Sequence, residues 1–157
     1  MAYDGPPVAL GKLSMEETQN PVNRLFGFVV EFAEQMLAKS GEFFPFGGSI
    51  TEAGEIAAAA GEPDDSEHPE AQAVYQVVAK GLASAASSGN VAAVALVADV
   101  VIPEELAPAA ENGIRVHVEA PGFARMVYVP YELFPGEEQP IRLHEPLAVE
   151  IEARFFG

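Results

Sequence analysis

The segment VAAVALVADVVIP, residues 91–103, decides the fold of this chain. It is rich in valine and apolar at both odd and even positions, which is typical of a central strand that is covered on both faces. Asp99 is its one charged residue. The segment is predicted to lie inside a sheet, because a long, nearly uncharged run of β-forming residues at a free edge would pair with other chains.

The segments that follow residue 103 predict more strands of the same sheet. In GIRVHVEA, residues 113–120, apolar side chains alternate with polar ones, so one face is expected to be buried and the other polar. FARMVYVPY, residues 123–131, and PLAVEIEARFF, residues 146–156, also have the composition or alternation of strands. Consecutive strands joined by short connections favour antiparallel pairing.

A helix is predicted from Asn20 to Gly41, with both ends marked in the sequence. Asn20 is a good N-cap residue, Pro21 suits the first helical position, and Gly41 can take the left-handed conformation that ends a helix. The apolar residues between them recur at spacings of three and four and form one stripe that faces a core. The stripe comprises Leu25, Phe26, Val29, Phe32, Ala33, Met36 and Leu37.

A second helix is predicted to begin near Pro69 and Glu70 and to end at SSGN, residues 87–90. Its apolar residues also recur with the helical period. They are Ala71, Val74, Tyr75, Val78, Leu82 and Ala85. Because both helices are amphipathic, each is expected to cover part of the sheet.

A β-hairpin is predicted between the two helices, in FFPFGGSITEAGEIAAAA, residues 43–60. Phenylalanines favour extended backbone, and Phe44 or Phe46 is expected to be buried against the first helix. Gly47 and Gly48 allow a bulge or the close approach of another backbone. An anion-binding or nucleophile loop at these glycines is disfavoured, since the segment has neither a Walker-type lysine nor a G-x-S-x-G motif.

This order of elements predicts one α+β domain over residues 1–157. Two amphipathic helices would pack on an antiparallel sheet of about five or six strands, in the order α-β-β-α-β-β-β-β. Residues 1–19 are expected to form a loosely packed N-terminal arm. By analogy, the order is that of profilin-like or roadblock-like domains.

The charge balance is strongly acidic, with 8 Lys and Arg against 24 Asp and Glu and a formal net charge of −16. A field of this sign repels phosphate backbones and anionic lipid surfaces, so no nucleic acid and no membrane is expected as a partner. The acidity serves solubility or the binding of a basic protein partner. The candidate partner-binding residues are Glu62, Asp64, Asp65 and Glu67.

The chain contains no cysteine, which excludes disulfides and thiolate chemistry and fits a reducing interior. The N-terminus lacks a basic region followed by an apolar stretch, and no apolar run is long enough to span a bilayer. A cytoplasmic location is therefore expected.

Titratable residues give one candidate site. The three histidines lack a ligand spacing such as H-E-x-x-H, so no metal, no cofactor and no catalytic residue is predicted. Asp99, Arg115, His117 and Glu119 are a candidate polar sheet face, on which an Asp could orient a His base. Cross-strand charge pairs on a solvated face are the commoner explanation of this pattern.

Three segments carry a resemblance to a known family: KSGEFFPFGGSI, AVALVADVVIP and IRVHVEAPGFARMVYVPYELF. With them the chain resembles a family of small, uncharacterised bacterial domains that carry a G-E-F-[FY]-P-F signature followed by a paired-strand half. The resemblance covers Leu25 to Phe134 and implies a shared fold. It implies no activity, cofactor or catalytic residue.

Three functions remain open at this point. The first is a non-enzymatic acidic protein-binding module, an immunity- or chaperone-like partner of a basic bacterial protein. The second is a small-molecule sensor with a pocket between the aromatic cluster 43–46 and the first helix. The third is an enzyme with a dispersed site, which would show as a cleft of titratable groups that perturb each other's pKa values. A homodimer is open as well.

Overall fold

The computed structural model describes residues 20–60 and 71–156. Over these ranges it has two helices, a short 3₁₀ helix at Glu104–Leu106 and seven strands. The bounds are α1 Pro21–Ser40, β1 Phe46–Ile50, β2 Ile56–Ala60, α2 Ala71–Ser88, β3 Ala93–Val101, β4 Asn112–Ala120, β5 Phe123–Leu133, β6 Ile141–Leu143 and β7 Leu147–Glu150. This is the predicted α+β order, with one more strand after α2. The predicted N-terminal arm and the predicted helix start at Pro69 lie outside the described residues.

The strands form one antiparallel sheet in the order β2-β1-β3-β4-β5-β6, and β7 also pairs with β5. Strand β3 pairs with β1 through residues 93–97 and with β4 through residues 94–101. Over residues 94–97 it is therefore hydrogen-bonded on both sides. The predicted interior position of this strand is confirmed.

The two helices lie on opposite faces of the sheet, and two glycines of β1 allow both to approach closely. A Cβ atom on Gly48 would lie 3.2 Å from the side chain of Leu25 in α1. A Cβ atom on Gly47 would lie 2.8 Å from the side chain of Leu82 in α2. Since neighbouring strand residues point to opposite faces, each glycine makes room for one helix. We refer to these two sides of the sheet as the α1 face and the α2 face.

Helix α1 begins and ends where the sequence predicts. The side chain of Asn20 accepts a hydrogen bond of 2.8 Å from the backbone N–H of Val22. Gly41 has a φ of 80° and donates its N–H to the carbonyl of Leu37. Both caps satisfy backbone groups that the helix itself leaves without partners.

The buried stripe of α1 differs from the prediction mainly at Phe32, which is 37% exposed, while Val30 is buried. The ring of Phe32 stands edge-on against Phe46, with 5.0 Å between the ring centroids, at the margin of the core. Phe46 is only 4% exposed and Phe44 is 56% exposed. The predicted burial of one of these two phenylalanines against α1 is confirmed for Phe46.

The apolar core is divided between the two faces of the sheet. The larger part lies on the α1 face, where α1 packs on β1, β3, β4 and β6 and where buried residues of β5 join the core. The smaller part lies on the α2 face, and its fully buried members are Val74, Val78, Leu82, Val94 and Leu96. The α2 face therefore has less apolar cover than the α1 face.

The predicted last strand is only half formed, since β7 ends at Glu150. Residues 151–156, which we call the C-terminal segment, leave the sheet. Phe155 and Phe156 pack against the small core of the α2 face. In the sequence, apolar and polar residues alternate up to Phe155, and this pattern fits a strand equally well. The position of the segment is decided instead by its contacts with distant residues.

Candidate functional site

His117 and Glu119 of β4 are buried on the α2 face, at 2% and 0% exposure. The expectation that the polar face of β4 is solvated is wrong for these two residues. Alternation along β4 does place Arg115, His117 and Glu119 on one side, opposite the apolar residues of the same strand. The C-terminal segment covers that side, which buries the imidazole and the carboxylate.

The carboxylate of Glu119 holds the C-terminal segment in place. It accepts hydrogen bonds from the backbone N–H groups of Arg154 at 2.7 Å, Phe155 at 2.8 Å and Phe156 at 3.2 Å. It also accepts one from Nε2 of His117 at 2.5 Å. Burial alone raises the pKa of Glu119, but these four donors outweigh burial and lower it, so the carboxylate is ionised at neutral pH.

His117 is a neutral imidazole at neutral pH. Burial lowers its pKa, the bond to Glu119 opposes this, and the guanidinium groups of Arg154 and Arg115 lower it further. The Nε2–H group donates to the ionised Glu119, which leaves Nδ1 as a hydrogen-bond acceptor. The imidazole also contacts Phe155, with 5.0 Å between the ring centroids.

A cleft of about 390 Å³ lies beside this pair, between α2 and the C-terminal segment. Its walls come from α2, from the strands β3 and β4, and from the C-terminal segment. The lining residues are Gln72, Tyr75, Gln76, Ala79, Lys80, Ala83, Leu96, His117, Arg154 and Phe155. We call this space the α2 cleft.

The α2 cleft has a local charge opposite to that of the chain. Lys80 and Arg154 line it, and the guanidinium of Arg115 lies over the ring of Tyr75 at 5.4 Å. None of the described lining residues is an Asp or a Glu. Two of the eight Lys and Arg of an acidic chain therefore line one cleft, and a third contacts one of its lining residues.

Asp99 does not join this group, so the predicted four-residue polar face is wrong in this respect. It pairs in the sheet with Ile114, a member of the core on the α1 face. The hydroxyl of Tyr131 donates a hydrogen bond of 2.6 Å to Oδ1 of Asp99. Burial, the largest cause, raises the pKa of Asp99, while the bond from Tyr131 opposes the shift.

Two other predicted sites have different outcomes. Glu62, Asp64, Asp65 and Glu67 lie outside the described residues. The predicted pocket between the aromatic cluster 43–46 and α1 is occupied by ring contacts instead. Phe43 and Phe46 lie 5.6 Å apart, and Phe46 also contacts Phe32.

The lining of the α2 cleft suits recognition of a small molecule. Tyr75 and Phe155 offer ring surfaces, Gln72 and Gln76 carry amide groups, and His117 lines the cleft with an Nδ1 that is able to accept a hydrogen bond. The described lining contains no Ser, Thr or Cys that could act as a nucleophile. Among residues 20–60 and 71–156, no three His, Asp or Glu side chains are grouped closely enough to share a metal ion. In the same ranges, no helix has the length and apolarity needed to cross a membrane.

Sequence reasoning identified His117, Glu119 and Arg115 as candidates but missed Lys80, Arg154 and Phe155. The missed residues belong to two distant parts of the chain, helix α2 and the C-terminal segment, and no local motif links them to β4. The one available signal was the C-terminal pair Phe155 and Phe156, two large apolar residues at the end of an acidic segment.

Comparisons with known protein families, with curated proteins and with solved structures found no match to this chain. The resemblance based on the G-E-F-[FY]-P-F signature therefore stays a prediction. The function of the α2 cleft is inferred from its geometry and chemistry.

Proposed function

We propose that this protein is a small-molecule binding domain and that the α2 cleft is its binding site. The observation that carries the proposal is a preformed cleft that combines ring surfaces, amides and cations from helix α2 and the C-terminal segment. Its volume of about 390 Å³ lies within the usual range of small-molecule sites. Such sites pair apolar surface with a few polar groups that fix the orientation of the ligand.

The C-terminal wall of the cleft is held firmly enough to be part of a binding site. Three backbone N–H groups of residues 154–156 donate to one buried carboxylate. Hydrogen bonds to a charged acceptor are stronger than those between neutral groups. Phe155 and Arg154 are therefore positioned before a ligand arrives, which reduces the entropy lost on binding.

Binding is favoured over catalysis by the way in which His117 and Glu119 are used. Four donors occupy the carboxylate of Glu119, so it has little capacity left to act as a general base. Nδ1 of His117 is the one group of the pair that remains for a ligand. For recognition, a histidine that accepts a hydrogen bond is sufficient. The described lining offers no Ser, Thr or Cys for the imidazole to activate as a nucleophile.

The test is a fragment screen of the full-length chain by ligand-observed NMR, followed by two matched variants. Ala83→Phe should fill the cleft, which Ala83 lines. Ser84→Phe adds the same ring at an exposed neighbouring position and serves as the control. Fragment binding should be lost in Ala83→Phe and kept in Ser84→Phe. Equal binding by both variants, or no binding to the unmodified chain, would contradict the proposal.

A second candidate function is the binding of a basic protein, for which exposed aromatic rings on α1 provide a specific observation. Phe28 is 39% exposed and stacks on Phe32, with 6.4 Å between the ring centroids. Glu31 is exposed on the same turn of the helix. Exposed apolar groups beside acidic ones suit a partner that carries apolar and basic residues.

This second candidate is tested by affinity purification with Phe28→Ala and Phe32→Ala together, at low and at moderate salt. A basic partner should be retained by the unmodified protein at low salt and lost in the double variant. Phe44→Ala, which removes an exposed ring outside α1, is the control. Retention by all forms at both salt concentrations would contradict the candidate.

The location of the protein also remains a proposal. The absence of cysteine supports a reducing compartment such as the cytoplasm. Fractionation of cells that express the protein tests this, and recovery outside the cytoplasmic fraction would contradict it.

A further inference from the structure

We infer that the ligand of the α2 cleft is a small organic anion, with a flat or aromatic body and one carboxylate or phosphate group. This rests on the proposed binding function and specifies the class of ligand. The inference comes from the positions of the cations, the arrangement of the ring surfaces and the state of His117.

The cations around the cleft lack acidic partners within the described part of the chain. The described ion pairs join His117 to Glu119, Arg125 to Glu150 and His144 to Glu132. Lys80, Arg115 and Arg154 take part in none of them. In a chain with 24 Asp and Glu against 8 Lys and Arg, a cleft whose described lining has two cations and no acid favours a bound anion.

Two of these cations come from opposite walls. Lys80 belongs to α2 and Arg154 to the C-terminal segment, and both line the cleft with exposed side chains. The backbone N–H of Arg154 donates to Glu119, and this bond fixes the position of the residue without using its guanidinium. A guanidinium whose backbone is already anchored is free to form paired hydrogen bonds with a carboxylate or phosphate.

The electrostatic effect of the cations is evident at the floor of the cleft. The guanidinium groups of Arg154 and Arg115 add to the lowering of the His117 pKa by burial, while the hydrogen bond and the charge of Glu119 oppose it. The two guanidinium groups by themselves favour a negative charge nearby. The Glu119 carboxylate contributes less to the open space, because four donors surround it.

The rings specify the body of the ligand. Tyr75 and Phe155 line the cleft, and the guanidinium of Arg115 lies over one face of the Tyr75 ring. Stacking or edge contacts with a flat ligand use the ring surfaces that remain. A hydroxyl or amine of such a ligand can donate to Nδ1 of His117.

Three probes of similar shape and different charge test whether the cleft prefers an anion, a neutral molecule or a cation. They are benzoate, benzamide and benzamidinium. The full-length chain is titrated with each and binding is followed in ¹H–¹⁵N NMR spectra. Benzoate should shift the resonances of residues around the cleft and bind at least about tenfold more tightly than the other two. Added salt should weaken benzoate binding and leave benzamide binding unchanged.

Matched charge variants show whether the cations of the cleft are the ones that bind benzoate. Lys80→Gln and Arg154→Gln should each weaken benzoate binding about threefold to tenfold, whereas Lys39→Gln and Arg142→Gln change the net charge equally elsewhere and should leave it unchanged. Arg154→Lys should restore most of the affinity lost in Arg154→Gln. Both cleft cations are exposed, so the variants should fold, which their spectra will show.

The outcomes distinguish the ligand class from the binding function. Equal or tighter binding of benzamide or benzamidinium in the cleft would overturn the anionic ligand and leave the binding site intact. Equal losses in the Lys39 and Arg142 variants would also overturn it, since net charge alone would then explain the effect. If neither these probes nor any library fragment binds in the cleft, the proposed function itself fails.

Discussion

The two faces of the sheet differ in what they bury, although the same strands form both. On the α1 face, a 20-residue helix covers a continuous apolar core, and Asp99 with Tyr131 is a polar pair at its margin. On the α2 face, a smaller core shares the surface with a cleft that contains cations and a buried His–Glu pair. The α1 face thus supplies most of the burial that stabilises the fold, and the α2 face has room for a ligand.

Strand β4 shows how one sequence makes both faces. Ile114, Val116 and Val118 enter the larger core, while Arg115, His117 and Glu119 point to the other side. The two-residue period of a strand is enough to place these groups apart. Burial of His117 and Glu119 then depends on the C-terminal segment, which no feature of β4 determines.

The largest expected effect on stability comes from a substitution in the core of the α1 face. Phe46→Ala should lower the free energy of unfolding by about 3 to 5 kcal/mol, because it removes a buried ring from the larger core. Phe44→Ala removes the same side chain from an exposed position and should change the free energy by less than about 0.5 kcal/mol. Urea unfolding of both variants measures the difference. Equal costs would show that Phe46 does not belong to the core.

The next effect tests how the C-terminal segment is held on the α2 face. Glu119→Ala removes the acceptor of three backbone N–H groups and of His117. The free energy of unfolding should fall by about 1 to 3 kcal/mol, and the amides of residues 154–156 should exchange faster with solvent. Glu152→Ala removes an exposed acid of the same segment and is the control. Unchanged amide exchange in Glu119→Ala would contradict the described attachment.

A pair of glycine variants tests how closely α2 approaches the sheet. Gly47→Ala should cost about 1 to 3 kcal/mol, since its Cβ would meet Leu82 and the carbonyl of Ala95. A Cβ atom on Gly81 of α2 meets no atom within 4 Å, so Gly81→Ala should stabilise the protein by about 0.5 to 1 kcal/mol. Thermal unfolding of both variants shows whether each substitution stabilises or destabilises the protein. Stabilisation by Gly47→Ala would contradict the packing of α2 on β1.

The smallest expected effect is a difference between the two faces in how their titratable groups change stability with pH. The pKa of His117 is lowered by folding, so the unfolded chain takes up a proton first as the pH falls below about 6.5, and stability decreases. The lowered pKa of Glu119 extends this loss below about pH 4.3. The raised pKa of Asp99 acts in the opposite direction, because the folded protein takes up that proton first.

Two variants separate these contributions in unfolding curves recorded from pH 7.5 to pH 4.5, a range set by the reference pKa values. His117→Gln should flatten the loss of stability that begins below about pH 6.5. Asp99→Asn should make the loss toward acid steeper, since it removes the opposing contribution. A steeper profile for His117→Gln, or a flatter one for Asp99→Asn, would contradict the assigned pKa directions.

Local patterns in the sequence predicted most of the fold. Cap residues such as Asn20 and Gly41 and the apolar run 91–103 act through nearest neighbours and through the periodicity of their own element. The same reasoning predicted a strand over residues 146–156 and placed Asp99 with His117. Both errors concern contacts between distant residues: Glu119 holds residues 154–156, and Tyr131 holds Asp99. The α2 cleft escaped prediction for the same reason, because Lys80, His117 and Arg154 meet only in the folded chain.

A crystal structure of the full-length protein after soaking with a fragment library of mixed charge tests the central claim most directly. We expect fragments in the α2 cleft, in contact with Tyr75 or Phe155, and we expect the acidic fragments to direct their anionic group toward Lys80 or Arg154. Fragments bound only on the α1 face or at other surfaces, with none in the α2 cleft, would contradict the division of roles between the two faces.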